Sequence, residues 1–196
     1  MDIPLNAKVE CIDGEAGESM CVIIDPTNDQ VTHLVVKGKN IFDTDHLVPV
    51  NLILETGHDL IKLRCPLKDL ENMEQFTETK FVPYADSGYA WPYSMSAIPE
   101  MLLYEQERIP LNELAIHRGD AVYASDGRVG RVDEFMVDPK TDSISHLIMR
   151  EGHLWGQKDV TIPVSQIERL ETDAVYLKIT KKRIEELPVV PVKRGG

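Results

Sequence analysis

The chain repeats itself. Asp13-Gly14, Gly17, Asp25-Pro26, Asp29 and His33-Leu34 return as Asp126-Gly127, Gly130, Asp138-Pro139, Asp142 and His146-Leu147. Each is displaced by 113 residues, as in 13 to 126 and 33 to 146. A fixed offset held over so many unlike residues marks two copies of one small unit, so the fold question halves. It also implies that the matched residues serve the fold before any chemistry, since whatever they do is done twice.

Three units follow from the repeat: a first copy over residues 1–76, a connector over 77–112 and a second copy over 113–196. A copy of about 75 residues supports only a thin core, so the two copies are expected to lean on each other. Thirty-three acidic against twenty-one basic residues give a formal charge of −12. That balance disfavours nucleic acid, whose phosphates call for clustered Lys and Arg. No run approaches the roughly 18 apolar residues of a membrane helix. Met1 to Asn6 lacks the basic start and apolar run of a signal peptide, so the expected location is cytoplasmic. Cys11, Cys21 and Cys65 are odd in number, lack Cys-x-x-Cys spacing and fall in the first copy, which reads as buried reduced thiols.

Within the first copy, Ala7 to Ile12 alternates as a strand and Asp13-Gly14 is a hairpin signal, because glycine tolerates the positive φ of the turn. Glu18 to Ile24 and Val31 to Lys37 are the next strands. They are separated by Asp25-Pro26, where proline's fixed φ suits the second turn position. Leu47 to Val50 and Leu60 to Leu63 are shorter strands, and Pro66 to Met73 has a helical pattern. The second copy repeats the itinerary with strands over Asp120 to Ala124, Arg131 to Val137, Ile144 to Arg150, Thr161 to Val164 and Val175 to Thr180. A short helix over Lys181 to Leu187 is stopped by Pro188. Many short strands with regular turn signals indicate a small antiparallel barrel. The connector carries Pro83, Pro92, Pro99 and Pro110, with Phe81, Tyr84, Tyr89, Trp91, Tyr93 and Tyr104, half of the chain's aromatics. Its prolines argue against long regular structure and leave at most a broken helical turn or two over Ser96 to Arg108.

The run Asp126-Gly-x-x-Gly130, Val-Asp-Pro139, Ile-Ser-His-Leu147, Gly-His-Leu-Trp-Gly156 and Val-Thr-Ile-Pro163 resembles the PRC-barrel family. That fold is shared by the cytoplasmic domain of the photosynthetic reaction centre H subunit and the C-terminal domain of the RimM ribosome-maturation factors. The resemblance runs from about Gly119 to Pro188. From about Ala7 to Met73 the first copy keeps Asp-Gly, Asp-Pro, Thr-His-Leu and Val-Pro. It has Gly38-Lys-Asn-Ile-Phe-Asp-Thr-Asp45 where the second has the Gly-His-Leu-Trp-Gly loop. The resemblance implies an all-β protein: two small, highly bent antiparallel PRC-type β-barrels, each ending in a short helix, joined by a proline- and aromatic-rich linker. It further implies a non-enzymatic interaction or assembly module that binds another protein. Two alternatives follow from the same relatives. One is a reaction-centre-H-like regulator docking on a membrane electron-transfer complex; the other is a RimM-like ribosome-maturation factor. The H subunit's membrane helix and RimM's separate N-terminal domain have no counterpart in these residues.

His33 and His146 occupy one place in the repeat. They are either metal ligands or proton relays, or partly buried imidazoles fixed by hydrogen bonds to a turn such as that of Asp138. With no second ligand at i±2 or i±4, the structural reading is preferred. Asp25 with Asp29, and Asp138 with Asp142, lack the further oxygen ligands and later Glu of a calcium loop, which leaves turn formation. Gly127-x-x-Gly130 has no following helix or Lys and is no phosphate cradle. Thus Asp13, Gly14, Asp25, Pro26, His33, Asp126, Gly127, Asp138, Pro139 and His146 are assigned to structure. The candidate partner-binding residues are His153, Leu154 and Trp155, in the loop the first copy does not keep, and Tyr89, Trp91 and Tyr93 in the connector. Trp155 either lids the second barrel or anchors a partner. The basic end, Lys181-Lys182-Arg183 with Lys193-Arg194, leaves peripheral contact with acidic headgroups open, and self-association is likewise open. No catalytic constellation, cofactor site or metal site is read from the sequence.

Overall fold

The computed structural model describes residues 1–39, 44–83, 101–151 and 158–187. Strands β1 (Asp2–Pro4), β2 (Lys8–Cys11), β3 (Gly14–Asp25), β4 (Gln30–Gly38), β5 (His46–Pro49), β6 (Ile53–Thr56) and β7 (Leu60–Leu63) precede helix α1 (Leu67–Glu71). Strands β8 (Thr77–Pro83) and β9 (Met101–Glu107) follow. Then come β10 (Leu114–His117), β11 (Ala121–Ala124), β12 (Gly127–Val137), β13 (Ile144–Glu151), β14 (Lys158–Pro163), β15 (Ile167–Glu171) and β16 (Ala174–Leu177), before helix α2 (Lys181–Glu185).

The strands form two seven-stranded sheets of the same design. One runs β5-β4-β3-β2-β7-β6 and the other β14-β13-β12-β11-β16-β15. The 113-residue offset persists in the pairing. Lys8 faces Glu18 and Cys11 faces Gly14, while Ala121 faces Arg131 and Ala124 faces Gly127, with a bulge at the same step in each ladder. Two features of the turns explain the local economy. Pro49 and Pro163 end their strands, lacking the N–H a ladder needs, and each opens a single 3-10 turn, Val50–Leu52 and Val164–Gln166. The first-strand hairpins close on Asp13-Gly14 and Asp126-Gly127, where Gly127 takes φ +126°.

The seventh strand of each sheet comes from the other half of the chain. β1 pairs antiparallel with β12, Asp2 against Met136 and Ile3 against Phe135. β10 pairs with β3, Ala115 against Ile23 and Ile116 against Val22. Residues 2 and 115, and 136 and 23, are equivalent under the repeat, so the exchange is reciprocal and symmetric. Ile3 and Ile116 are both fully buried, and most buried apolar residues of the two sheets join in one contiguous cluster. The sequence boundary at residue 113 is therefore not a boundary between sheets.

Two expectations need correction. The sheets are not purely antiparallel: β2 pairs parallel with β7, and β11 with β16. A parallel neighbour requires a crossover. The chain supplies it by leaving β5 and β14 through the 3-10 turns, so that the hairpins β6–β7 and β15–β16 dock on the opposite edge. The connector, expected to be irregular with at most a broken helical turn or two over Ser96 to Arg108, has its described arms, 77–83 and 101–107, paired as an antiparallel ribbon. Thr77 pairs with Glu107 and Pro83 with Met101. No proline falls between Met101 and Glu107. The pairing offered by the β-favouring Thr77-Glu-Thr-Lys-Phe-Val82 overrides the helical propensity of Met101 to Glu107.

Candidate functional site

The repeated residues carry the same loads in both halves. Asp13 Oδ1 accepts from the backbone N–H of Leu67 at 2.8 Å, and Asp126 Oδ1 from that of Lys181 at 2.9 Å. Each hairpin turn thereby caps the first turn of its terminal helix. Asp25 Oδ1 accepts from the amide and hydroxyl of Thr27, and these bonds, the hydroxyl's first, hold its carboxyl below the usual range. Asp138 Oδ1 accepts from the Lys140 amide at 2.9 Å. Asp29 and Asp142 both take φ +55° in the following turn position. Gly17 and Gly130 admit a close strand approach: a Cβ at Gly17 would meet Lys37 O at 1.9 Å, and one at Gly130 would meet Arg150 O at 2.5 Å.

His33 and His146 sit at equivalent registers, opposite Pro49 and Pro163. His33 Nδ1 lies 3.0 Å from Thr32 Oγ1, whose hydroxyl donates to Glu113 at 2.6 Å. His146 Nδ1 is buried without a hydrogen-bond partner among the described residues. Among the described residues neither Asp25 nor Asp138 hydrogen-bonds to these imidazoles; for His33 the expected tether to the turn is replaced by the segment entering β10.

Polar chemistry gathers where the connector, the exchanged strand β10 and the second sheet meet. At the bulge in β12, the 8%-exposed Asp133 takes Arg118 at 2.6 Å and Arg150 at 2.8 Å, and Arg118 also donates to Leu5 O. Beside this network, ligating atoms of His117, Asp120 and Asp173 all lie within 4.8 Å of one another. His117 ends β10, Asp120 precedes β11, and Asp173 occupies the β15–β16 turn at φ +62°. His117 donates its backbone N–H to Asp120 Oδ2 at 2.7 Å. Burial pushes the Asp120 carboxyl above its ordinary value, while that bond and the imidazole act the other way. Glu107, at the end of β9, approaches His117 Nε2 to 3.3 Å. Glu107 also lines a cleft of about 480 Å³ at the ribbon's base, with Glu74, Glu78, Lys80, Gln106 and Arg108.

Sequence reasoning missed this junction. Its residues are scattered from 107 to 173 and meet only through the exchange. The one available signal was negative: His117 and Asp120 stand where the first copy has Pro4 and Ala7. The candidate partner-binding residues Tyr89, Trp91, Tyr93, His153, Leu154 and Trp155 lie outside the described residues. So do residues 40–43 of the loop Gly38 to Asp45.

Among known proteins, residues 117–184 match the PRC-barrel domain family, about one third of the chain. No curated protein matches the chain. No helix among the described residues is long and apolar enough to cross a membrane.

Proposed function

We propose that the chain is a non-enzymatic interaction module made of two PRC-type units, the first a divergent copy of the matched one, whose connector ribbon engages another protein. The observation that carries the reading is the ribbon itself. β8 and β9 pair with each other and, among the described residues, with no third strand. A two-stranded ribbon alone is marginally stable in water, and a third strand or a packed face is what stabilises it. Its base is tied down, since Arg108 N donates to Phe76 O and Phe76 N to Asp45 O. Its far end is apolar in sequence, with Phe81-Val-Pro83 paired against Met101-Leu-Leu103. The chain between these arms holds Tyr89, Trp91 and Tyr93, the residue types that anchor interfaces. The symmetric sheets then serve as a rigid mount, and the Trp155 loop, absent from the first copy, is a second contact.

The test is affinity capture with the intact protein from its native lysate, beside Trp91→Ala and Trp155→Ala forms of unchanged melting temperature. A defined partner captured by the intact protein and lost on Trp91→Ala supports the reading. Equal capture by all three forms, or none at low salt, overturns it. A partner drawn from a membrane electron-transfer complex or from the ribosome would select one of the two narrower alternatives.

A further inference from the structure

The second half buries acid where the first half does not. Pro4, Ala7 and Asp59 hold the places of His117, Asp120 and Asp173, and the backbone duties match: Lys8 N donates to Asp59 O at 2.9 Å, and Ala121 N to Asp173 O at 3.0 Å. The fold is therefore made without the imidazole and without the carboxylate of Asp120. In the second half that carboxylate is 9% exposed, and only one of its oxygens accepts a hydrogen bond from the described residues. Glu107 and Asp173 add two more carboxylates. Among the described residues no Lys or Arg forms an ion pair with any of the three, and Arg118 and Arg150 both pair with Asp133. A buried carboxylate left so short of positive charge is costly unless a cation or a proton arrives.

We infer that His117, Asp120 and Asp173 bind a divalent first-row transition ion of the Zn²⁺ type. One imidazole nitrogen with two carboxylate oxygens is a three-ligand set, and water completes the tetrahedron. The imidazole selects against Ca²⁺ and Mg²⁺, which prefer all-oxygen sites. Glu107 Oε1 lies 3.3 Å from Nε2 of His117, and a carboxylate beside the imidazole is the kind of outer partner that commonly orients a metal-bound histidine. The ion would tie β10, a strand of the first sheet, to the β11 and β15–β16 ends of the second. It would fasten one arm of the exchange, with the ribbon attached through Glu107.

The experiment is Zn²⁺ titration of the intact, chelator-stripped protein in competition with a chromogenic chelator. One Zn²⁺ per chain is expected, with a higher melting temperature in the loaded form. Asp173→Asn keeps a residue that tolerates positive φ at an exposed site, so its metal-free melting temperature should be unchanged. Its affinity should fall at least about tenfold, and that of His117→Gln likewise. Substoichiometric uptake, wild-type affinity in both variants, or equally tight Ca²⁺ binding would each overturn the site.

Discussion

The two sheets share strand order, register and bulges, yet they finish their outer faces in opposite ways. In the first, Cys21, Ile23, Val35 and Leu47 point away from the common core and form a second small apolar cluster under Phe76 and Ala115, with Met20 and Ile109 at its edge. In the second, the places of Met20, Cys21 and Leu47 are taken by Asp133, Glu134 and Thr161, and Asp133 gathers two arginines. The difference follows from what covers each face. Phe76 and Ile109, which flank the ribbon, pack over the first sheet with Ala115 of β10, so that face is dry and hydrophobic burial stabilises it. The equivalent face of the second sheet is organised by charge. One backbone design thus tolerates either solution, provided that the inner face and the exchanged strand are kept.

The largest effect should come from dividing the pair. Residues 113–196 expressed alone lack β1 on β12 and present β10 with no partner. They should show no folded monomer by size-exclusion chromatography and NMR, but either an unfolded chain or a homodimer exchanging β10. A dispersed monomer spectrum would show that the exchange is dispensable. Next, Ile3→Ala and Ile116→Ala remove equivalent, fully buried side chains. Each should cost about 2–5 kcal/mol in denaturant unfolding, and the two should agree closely. A large disparity would break the symmetry of the crossover.

Gly17→Ala should cost more than about 1 kcal/mol, since φ is +148° and the added Cβ meets backbone at 1.9 Å. Gly130→Ala should be milder, because its contact is 2.5 Å and it carries no positive φ of that kind. The smallest effect concerns the thiols. Cys11 is pushed up from 9.0 to about 12, first by burial and then by its neighbour Cys65. The folded state therefore keeps a proton that the unfolded chain releases above pH 9, and stability should decline as pH rises from 9 toward 12. Cys11→Ala installs the second copy's residue, Ala124, and should flatten that part of a melting-temperature profile. An unchanged slope would place the titrating group elsewhere.

Local chemistry was legible where one residue type forces one geometry. Asp13-Gly14 and Asp126-Gly127 announced hairpins, Asp25-Pro26 and Asp138-Pro139 announced turns, and the matching strands and terminal helices fall where the pattern put them. The distant partner of Asp13, the Leu67 amide, was not legible, because a side chain does not state which far backbone group it will meet. The short strands β1 and β10 escaped for a related reason. Three or four residues have too little periodicity to read, and both pair across more than 100 or 90 positions of sequence, as in Ile3 with Phe135 and Ile116 with Val22. The ribbon was missed because Met101 to Glu107 favours a helix locally and gains its ladder only from Thr77–Pro83.

What the sequence determined by itself was the repeat, and with it the shared register, the turns and the alternation of buried and exposed positions. These depend on backbone dihedral preferences and on hydrophobic periodicity, both of which act over a few residues. Tertiary structure decided which half supplies each sheet's last strand, and so which residues meet at the junction of His117, Asp120, Asp173 and Glu107. A strand's hydrogen-bonding edge is the same whether its partner comes from its own copy or the other. Only the geometry of the packed pair selects between them, and that selection brings an imidazole and three carboxylates together.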